Sequence, residues 1–318
     1  MSETNDDHDD NASMPEADAG GETRCGFIAL IGAPNAGKST LINALVESKV
    51  SIVSHKVQTT RVPVRGIAIA GKSQLVFIDT PGIFTPKRRL DRAMVTSAWS
   101  GAHDADLTGL LIDARKGMDE ENEAIVSKLP EISGKKFLLL NKVDLVDKPT
   151  LLALATALNE RVKFEHTFMI SALTGDGVAD VRSWLAERVP PGPWHYPEDQ
   201  VSDAPMRLLA AEITREKLFH RLHQELPYQS TVETDLWKEM KDGSVRIEQT
   251  IYVERDSQKK IVIGKGGQTL KSIGADARKE ISGFVEAPVH LFLFVKVREG
   301  WGNDPERYRE MGLEFPKN

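Results

Sequence analysis

The sequence predicts an α/β domain, built on a largely parallel sheet with helices on both faces, followed by a smaller α+β domain. Three observations carry that prediction. From Gly26 onward, short β-branched runs alternate with helical patterns, as they do where crossover helices join parallel strands. Five prolines between Val189 and Pro205 then interrupt the alternation, since each locks φ and removes a backbone donor. Beyond them the order changes to a helix, two strands, two helices flanking a Gly-rich turn, and a last strand.

In the first domain the expected strands are Phe27–Ile31, Val62–Ile69, Leu75–Ile78, Leu107–Asp113, Lys136–Asn141 and Phe164–Ser171. Helices are expected between them at Lys38–Glu47, Arg88–Ser100, Glu120–Leu129, Thr150–Asn159 and Val178–Arg188. The second domain should hold a helix at Met206–Gln224, strands Ser230–Leu236 and Val245–Tyr252 around the Lys241-Asp242-Gly243 turn, and a strand Val289–Val297. The chain thus divides into a leader (1–23), a first domain (24–189), a linker (190–205) and a second domain (206–318).

A chain of 318 residues, 40% of them hydrophobic, suffices for two separate cores. Its net charge of -6 argues against nucleic-acid binding only at first sight. The leader holds eight acids and no Lys or Arg, and without it the remainder is slightly basic, at +2. That leader lacks aromatic clusters and repels itself, so it is expected to be disordered. It shows no signal-peptide pattern, and apolar runs such as Leu291–Val295 and Phe137–Leu140 fall short of the roughly 18 residues of a membrane span. A soluble, cytoplasmic protein is expected. The single cysteine, Cys25, permits no internal disulfide and reads as a small buried apolar side chain. The histidines show no metalloprotease spacing and no Ser/His/Asp set suggests itself, which argues against those hydrolytic chemistries.

Directly after the first strand stands Gly32-Ala33-Pro34-Asn35-Ala36-Gly37-Lys38-Ser39, which fits G-x-x-x-x-G-K-[ST] in a strand-then-helix setting. Glycines let the backbone wrap phosphates, so that N–H groups and the helix N-terminus meet the negative charge. Lys38 is expected to bridge β- and γ-phosphates, the Ser39 hydroxyl to ligate Mg²⁺, and Thr40 to extend the binding segment. An ordinary Gly-rich connection is the alternative, and the agreement of motif, Lys-Ser pair and setting argues against it. Asp79-Thr80-Pro81-Gly82, alone a plausible β-turn, reads downstream of such a loop as the source of a carboxylate for the same metal. Asp79 would hold Mg²⁺ through water, and the Gly82 amide would sense the γ-phosphate.

Base identity rests on Asn141-Lys142-Val143-Asp144. A carboxylate accepts from guanine N1–H and N2–H₂, groups adenine lacks in that arrangement, so Asp144 would select GTP and GDP. Asn141 would brace the loop and the Lys142 stem cover the base. A backbone N–H from Ser171-Ala172-Leu173 would meet the guanine oxygen. In the second domain, Gly264-Lys265-Gly266-Gly267 forms a G-x-x-G turn on which a nucleic-acid backbone can approach closely. Arg255, Lys259, Lys260, Lys265 and Lys271 give the local positive charge that phosphate binding needs. Ile261, Ile263, Leu270 and Ile273 read as core and groove wall, and Phe292 and Phe294 as core. A helix–turn–helix with a solvated charged face is the alternative for the glycines alone.

The ordered nucleotide motifs resemble the TRAFAC class of P-loop GTPases. That resemblance implies a further Mg²⁺ ligand in Gln58-Thr59-Thr60-Arg61, Thr60 before Thr59, and catalytic contacts from Lys38, Thr60 and Gly82. It also exposes a departure: Ile83 stands where a glutamine often orients the attacking water, so turnover by this chain alone is expected to be slow. Asn35 resembles the asparagine that coordinates K⁺ in potassium-stimulated relatives. The second domain resembles the KH type II domain, whose groove clamps about four single-stranded nucleotides. A G domain followed by one such KH domain resembles the Era family of bacterial GTPases, from about Gly26 to about Gly312. This resemblance implies a monomer that recognises the 3′ end of 16S rRNA during 30S ribosomal subunit maturation, with peripheral attachment to the inner membrane as a further option. A GTP-binding RNA scaffold with negligible hydrolysis is the competing reading.

Overall fold

The computed structural model describes residues 22–54, 56, 59–61, 63–222 and 226–316. The leader up to Gly21, Gln58 of the expected metal loop, Val62 at an expected strand start and Gln224 at an expected helix end lie outside the described residues.

The first domain is a six-stranded sheet of β1 (Arg24–Ile31), β2 (Val64–Ala70), β3 (Ser73–Asp79), β4 (Leu107–Asp113), β5 (Lys135–Asn141) and β6 (Thr167–Ile170), in the order β2-β3-β1-β4-β5-β6. All pairs are parallel except the β2–β3 hairpin. Every residue of β4 is buried, and its near-continuous apolar run reflects cover on both faces. That cover comes from α1 (Lys38–Val46), α2 (Arg89–Asp104), α3 (Glu120–Lys128), α4 (Lys148–Arg161) and α5 (Val178–Ala186). The alternation of β1 divides the core accordingly. Ile28 and Leu30 pack with Leu41 of α1 and Val181 of α5, while Ala29 and Ile31 pack with Ala98, Ile125 and Leu154 from α2, α3 and α4. Cys25 is buried, as read.

Several bounds differ from those expected, by a few residues each, and two of the differences have a clear physical reason. α2 continues past Gly101 to Asp104 because Ala98 and Ala102 keep it seated on the sheet. β6 is shorter than expected, since Phe164 packs in the approach loop and Ser171 pairs back with Asp176 across a turn. Residues 190–205 are laid along the sheet and hydrogen-bonded to it. Cys25 N–H donates to the Pro190 carbonyl, Ile67 N–H to the Val201 carbonyl, and the Gln74 amide bonds the backbone of His195 and Tyr196.

The second domain runs α6 (Met206–Arg221), β7 (Ser230–Glu239), β8 (Val245–Val253), α7 (Asp256–Ile263), α8 (Gln268–Val285), β9 (Val289–Val297) and α9 (Pro305–Glu310). β7 and β8 are antiparallel and β8 and β9 parallel, with α6, α7 and α8 packed on one face. Phe292 and Phe294 do alternate along β9, but onto the face these helices leave open; they are 45% and 47% exposed, which corrects their reading as core. Ile261 is likewise 57% exposed and belongs neither to the core nor to the groove wall. The short α9 was not foreseen, although Asp304 as N-cap and Pro305 at the first helical position are legible signals.

The domains dock through α2. Leu90, Ala93 and Met94 form one cluster with Trp301, Tyr308 and Leu313 from the C-terminal segment. No helix among the described residues is long and apolar enough to cross a membrane.

Candidate nucleotide and nucleic-acid sites

The loop after β1 enters α1 through Gly37, whose φ of 107° suits glycine, and any side chain there would overlap Asn141 Nδ2. With no acidic residue in its first turn, α1 presents unneutralised N–H groups to the cleft. Lys38 is buried and donates to the Gly32 and Ala33 carbonyls at 3.0 and 3.1 Å. Burial lowers its pKa to about 8, the nearby Asp79 pulling the other way. Ala33 and Ala36 are buried, so their contribution to a phosphate site is backbone.

Ser39, Thr60 and Asp79 converge. Ser39 Oγ lies 2.9 Å from Asp79 Oδ2 and 3.0 Å from Thr60 Oγ1, and Thr60 Oγ1 donates to Asp79 Oδ2 at 3.2 Å. Thr59 is turned away, donating to the Lys56 carbonyl at 2.7 Å. Asp79 is fully buried, and burial raises its pKa against the pull of the surrounding hydroxyls and Lys38. Ser51 approaches it without a formed hydrogen bond, which leaves Asp79 Oδ1 unpaired among the described residues. Three oxygens, one a buried carboxylate with a spare lone pair, fit a hard divalent cation.

The cleft is lined by Pro34, Asn35, Gly37–Thr40, Thr59, Thr60 and Gly82, together with Ile52, Val53 and Ser54 of the segment after α1. Thr80 does not reach it: its hydroxyl donates to the Leu30 carbonyl at 2.7 Å and supports the loop from beneath, and Pro81 is not among the lining residues. Ile83 is buried against Ala33 and Ile31, and its N–H donates to the Gly32 carbonyl at 3.0 Å.

At the base end, Asn141 Nδ2 donates to the Ala36 carbonyl at 2.8 Å and Oδ1 accepts from Ala172 N–H at 2.9 Å. Of the three amides expected near the guanine oxygen, that of Ala172 braces Asn141 in this arrangement. Lys142 has a φ of 67°, and its Nζ donates to the Asn35 carbonyl at 2.8 Å and to Asp113 Oδ2 at 2.7 Å. Asp144 stands exposed on a single turn, Val143–Leu145, and Leu173 projects into solvent while Ser171 is buried. Asp113 escaped sequence reasoning; an acid ending an otherwise apolar strand was its only signal.

The second domain places 264–267 between α7 and α8. Gly264 has a φ of 73°, and a Cβ there would overlap the Thr269 side chain. Gly266 and Gly267 face open space. Beside them runs a groove of about 430 Å³ lined by Gly267, Leu270, Lys271, Gly274, Arg278, Leu291 and Leu293. Lys265, Lys260 and Arg255 are exposed around the turn, and Lys259 is half-buried on α7.

The described residues around the phosphate end, 49–54, 56 and 59–61, also form a docking surface for the second domain. Lys49 pairs with Glu216 at 2.8 Å and with Glu280, and Val53 N–H donates to Glu216 at 2.9 Å. Lys56 bonds the Phe219 and Leu222 carbonyls. Arg61, only 2% exposed, donates to the carbonyls of Ser230, Pro227 and Tyr228 at 2.8, 3.1 and 3.1 Å.

Comparison with known proteins matches residues 27–142 to a family described as 50S ribosome-binding GTPase and residues 225–302 to the KH domain. GTPase Era of Bradyrhizobium sp. (strain ORS 278) is 71% identical over 297 residues, covering 93% of this chain and 97% of the relative. GTPase Era of Rhizobium meliloti (strain 1021) is 70% identical over 93% of this chain and 94% of its own. Among solved structures, Era in complex with MgGDPNP and nucleotides 1506–1542 of 16S ribosomal RNA superposes with a TM-score of 0.86 at 36% identity, covering 91% of this chain and 99% of that one. An Aquifex aeolicus Era variant bound to GDP·AlF4⁻ gives the same TM-score, identity and coverage. With a nucleotide-type cleft on one domain, a G-x-x-G groove on the other, and likeness along nearly the whole length, the chain belongs to the Era family of GTPases.

Proposed function

We propose that this GTPase couples its nucleotide state to binding of the 3′ end of 16S rRNA and acts in 30S subunit assembly. The observation that carries the reading is a double role of neighbouring residues: Ile52, Val53, Ser54, Thr59 and Thr60 line the phosphate end of the cleft, while Val53 and Arg61 hold the RNA-binding domain. A relative similar along nearly the whole chain holds MgGDPNP and rRNA nucleotides together.

In this reading Lys38 and the amides of 32–39 hold the β- and γ-phosphates, Ser39 and Thr60 ligate Mg²⁺, and Asp79 holds it through water. The metal supplies charge neutralisation at the transferring phosphoryl group. Gly82 N–H faces the γ-phosphate end. Asp144 selects guanine, Lys142 covers the base, and Asn141 ties the base loop to the phosphate loop. Single-stranded RNA lies along the groove beside 264–267, its phosphates met by Lys265, Lys271 and the neighbouring cations.

Ile83 is packed inward and has no polar atom to offer a water. Turnover is therefore slow, and a K⁺ ion held at Asn35 is proposed as the missing charge. Peripheral membrane attachment and a monomeric state belong to the same proposal and rest on the family resemblance. The test is RNA affinity for a 16S 3′-end oligonucleotide with GDP and with a non-hydrolysable GTP analogue, alongside turnover in K⁺ and in Na⁺. A nucleotide-dependent affinity supports the coupling, and equal affinities in both states overturn it. Equal rates in the two salts remove Asn35 from its role.

A further inference from the structure

We infer that Asp113 is a positioning residue for guanine-nucleotide binding, acting through Lys142. The inference rests on the assignment of Lys142 to the base end of the site. Asp113 closes β4, is 3% exposed, and its two oxygens do different work. Oδ1 accepts from the Arg115 backbone N–H at 3.1 Å and from Arg115 Nε at 3.0 Å, which caps the local turn. Oδ2 accepts from Arg115 Nη2 and Lys142 Nζ, both at 2.7 Å.

Lys142 is thereby fixed between a carboxylate on one strand end and the Asn35 carbonyl, 2.8 Å away, on the phosphate loop. Two anchors hold the ammonium, so the aliphatic stem that runs from the Lys142 backbone to it is held to one path. Free lysines sample many rotamers, and fixing this one in advance removes an ordering cost from binding. Asn35 itself holds a left-handed φ of 62°, so the same clasp ties a strained phosphate-loop residue to the base loop.

A purely structural role makes a different prediction, because Asn at this position can keep Oδ1 as the turn cap, while its Nδ2, a donor, no longer accepts from Lys142 Nζ or Arg115 Nη2. Asp113→Asn is therefore expected to weaken GDP and GTP affinity alike by about tenfold, the scale of one charge-assisted hydrogen bond. The kcat at saturating GTP should stay within about twofold, since the contact lies away from the γ-phosphate. Arg115→Ala removes the turn's other partner and leaves the Lys142 clasp, so its GDP affinity should match the parent.

Calorimetry with GDP and with a non-hydrolysable GTP analogue, together with turnover at saturating GTP, all on the full chain, reads these outcomes, with thermal unfolding as the check on folding. Loss with both ligands at an unchanged melting temperature supports the assignment. Parent-like affinity in Asp113→Asn, or equal loss in Arg115→Ala, overturns it. Asp144→Ala separates the underlying reading: if that variant keeps guanine selectivity, the base site is misassigned; if it loses selectivity while Asp113→Asn stays silent, only the positioning role falls.

Discussion

Arg61 Nη1 donates to the Ser230 carbonyl at 2.8 Å, one residue along the chain from a threonine hydroxyl that touches Ser39 and Asp79. Neighbouring residues thus face different domains, and a change in where Thr60 sits must be felt where Arg61 is held. Two-sided contact of this kind is what coupling requires, namely an element whose position both sites bias.

Replacing Arg61 with Met tests the link. The guanidinium meets three carbonyls in a buried setting, and burial lowers its pKa to about 9, so it is charged at neutral pH. Methionine fills much of the space and leaves the carbonyls unpaired, at a cost of about 1–3 kcal/mol in denaturant unfolding. RNA affinity in the variant should stop responding to the nucleotide bound. A full nucleotide response in Arg61→Met would show that the coupling runs elsewhere.

The same interface carries a pH dependence through Glu216. Burial pushes its carboxyl up, but hydrogen bonds from Lys217, Lys49 and the Val53 N–H outweigh it and hold the pKa below the ordinary 4.5. A folded-state value below the unfolded one means stabilisation fully present above pH 4.5 and lost as pH falls through the lower folded value. Glu216→Gln should therefore cost about 1–3 kcal/mol at neutral pH, a gap that closes in acid. Thermal unfolding of both proteins across pH 3 to 8 measures it; a constant gap would count against this account.

Much of this was legible in the sequence, and the misses share a cause. β4 and β9 are bounded as the sequence predicts, because apolar runs between turn residues leave the chain little choice. The Gly32–Ser39 motif predicted its own strand–loop–helix setting for the same reason: the backbone conformation is written in the residues that adopt it. Phe292 and Phe294 misled because alternation assigns two faces without saying which one the helices cover. Thr80 and Ala172 were expected to face ligand and instead hold Leu30 and Asn141, partners 50 and 31 residues distant. Asp113 and the docking role of Arg61 were invisible because their meaning lies in contacts 29 and 169 residues away.

Two glycines of the G-x-x-G turn should fail differently. Gly264 holds a φ of 73° with Thr269 packed where a Cβ would go, so Gly264→Ala is expected to destabilise the second domain by about 2–3 kcal/mol. Gly266 shares the left-handed backbone, with a φ of 59°, but faces open space, so Gly266→Asp should cost only the roughly 1–2 kcal/mol of that conformation while placing a negative charge where phosphate approaches. RNA affinity in Gly266→Asp is expected to fall at least tenfold with nucleotide affinity intact. Undiminished RNA binding would move the interface away from this turn.

Restoring a glutamine at position 83 should not create a faster enzyme. Ile83 lies 6% exposed against Ala33 and Ile31, and its backbone N–H is tied to the Gly32 carbonyl, so the side chain at this position points into the core beneath the phosphate loop. Ile83→Gln would bury an amide without partners, at about 1–3 kcal/mol, or push it outward by distorting the loop that holds Lys38. Either outcome lowers stability or nucleotide affinity without placing an amide beside the γ-phosphate. Single-turnover hydrolysis with the variant saturated in GTP should stay at or below the parent rate. A rate rise of tenfold or more would mean that residue 83 does reach the attacking water.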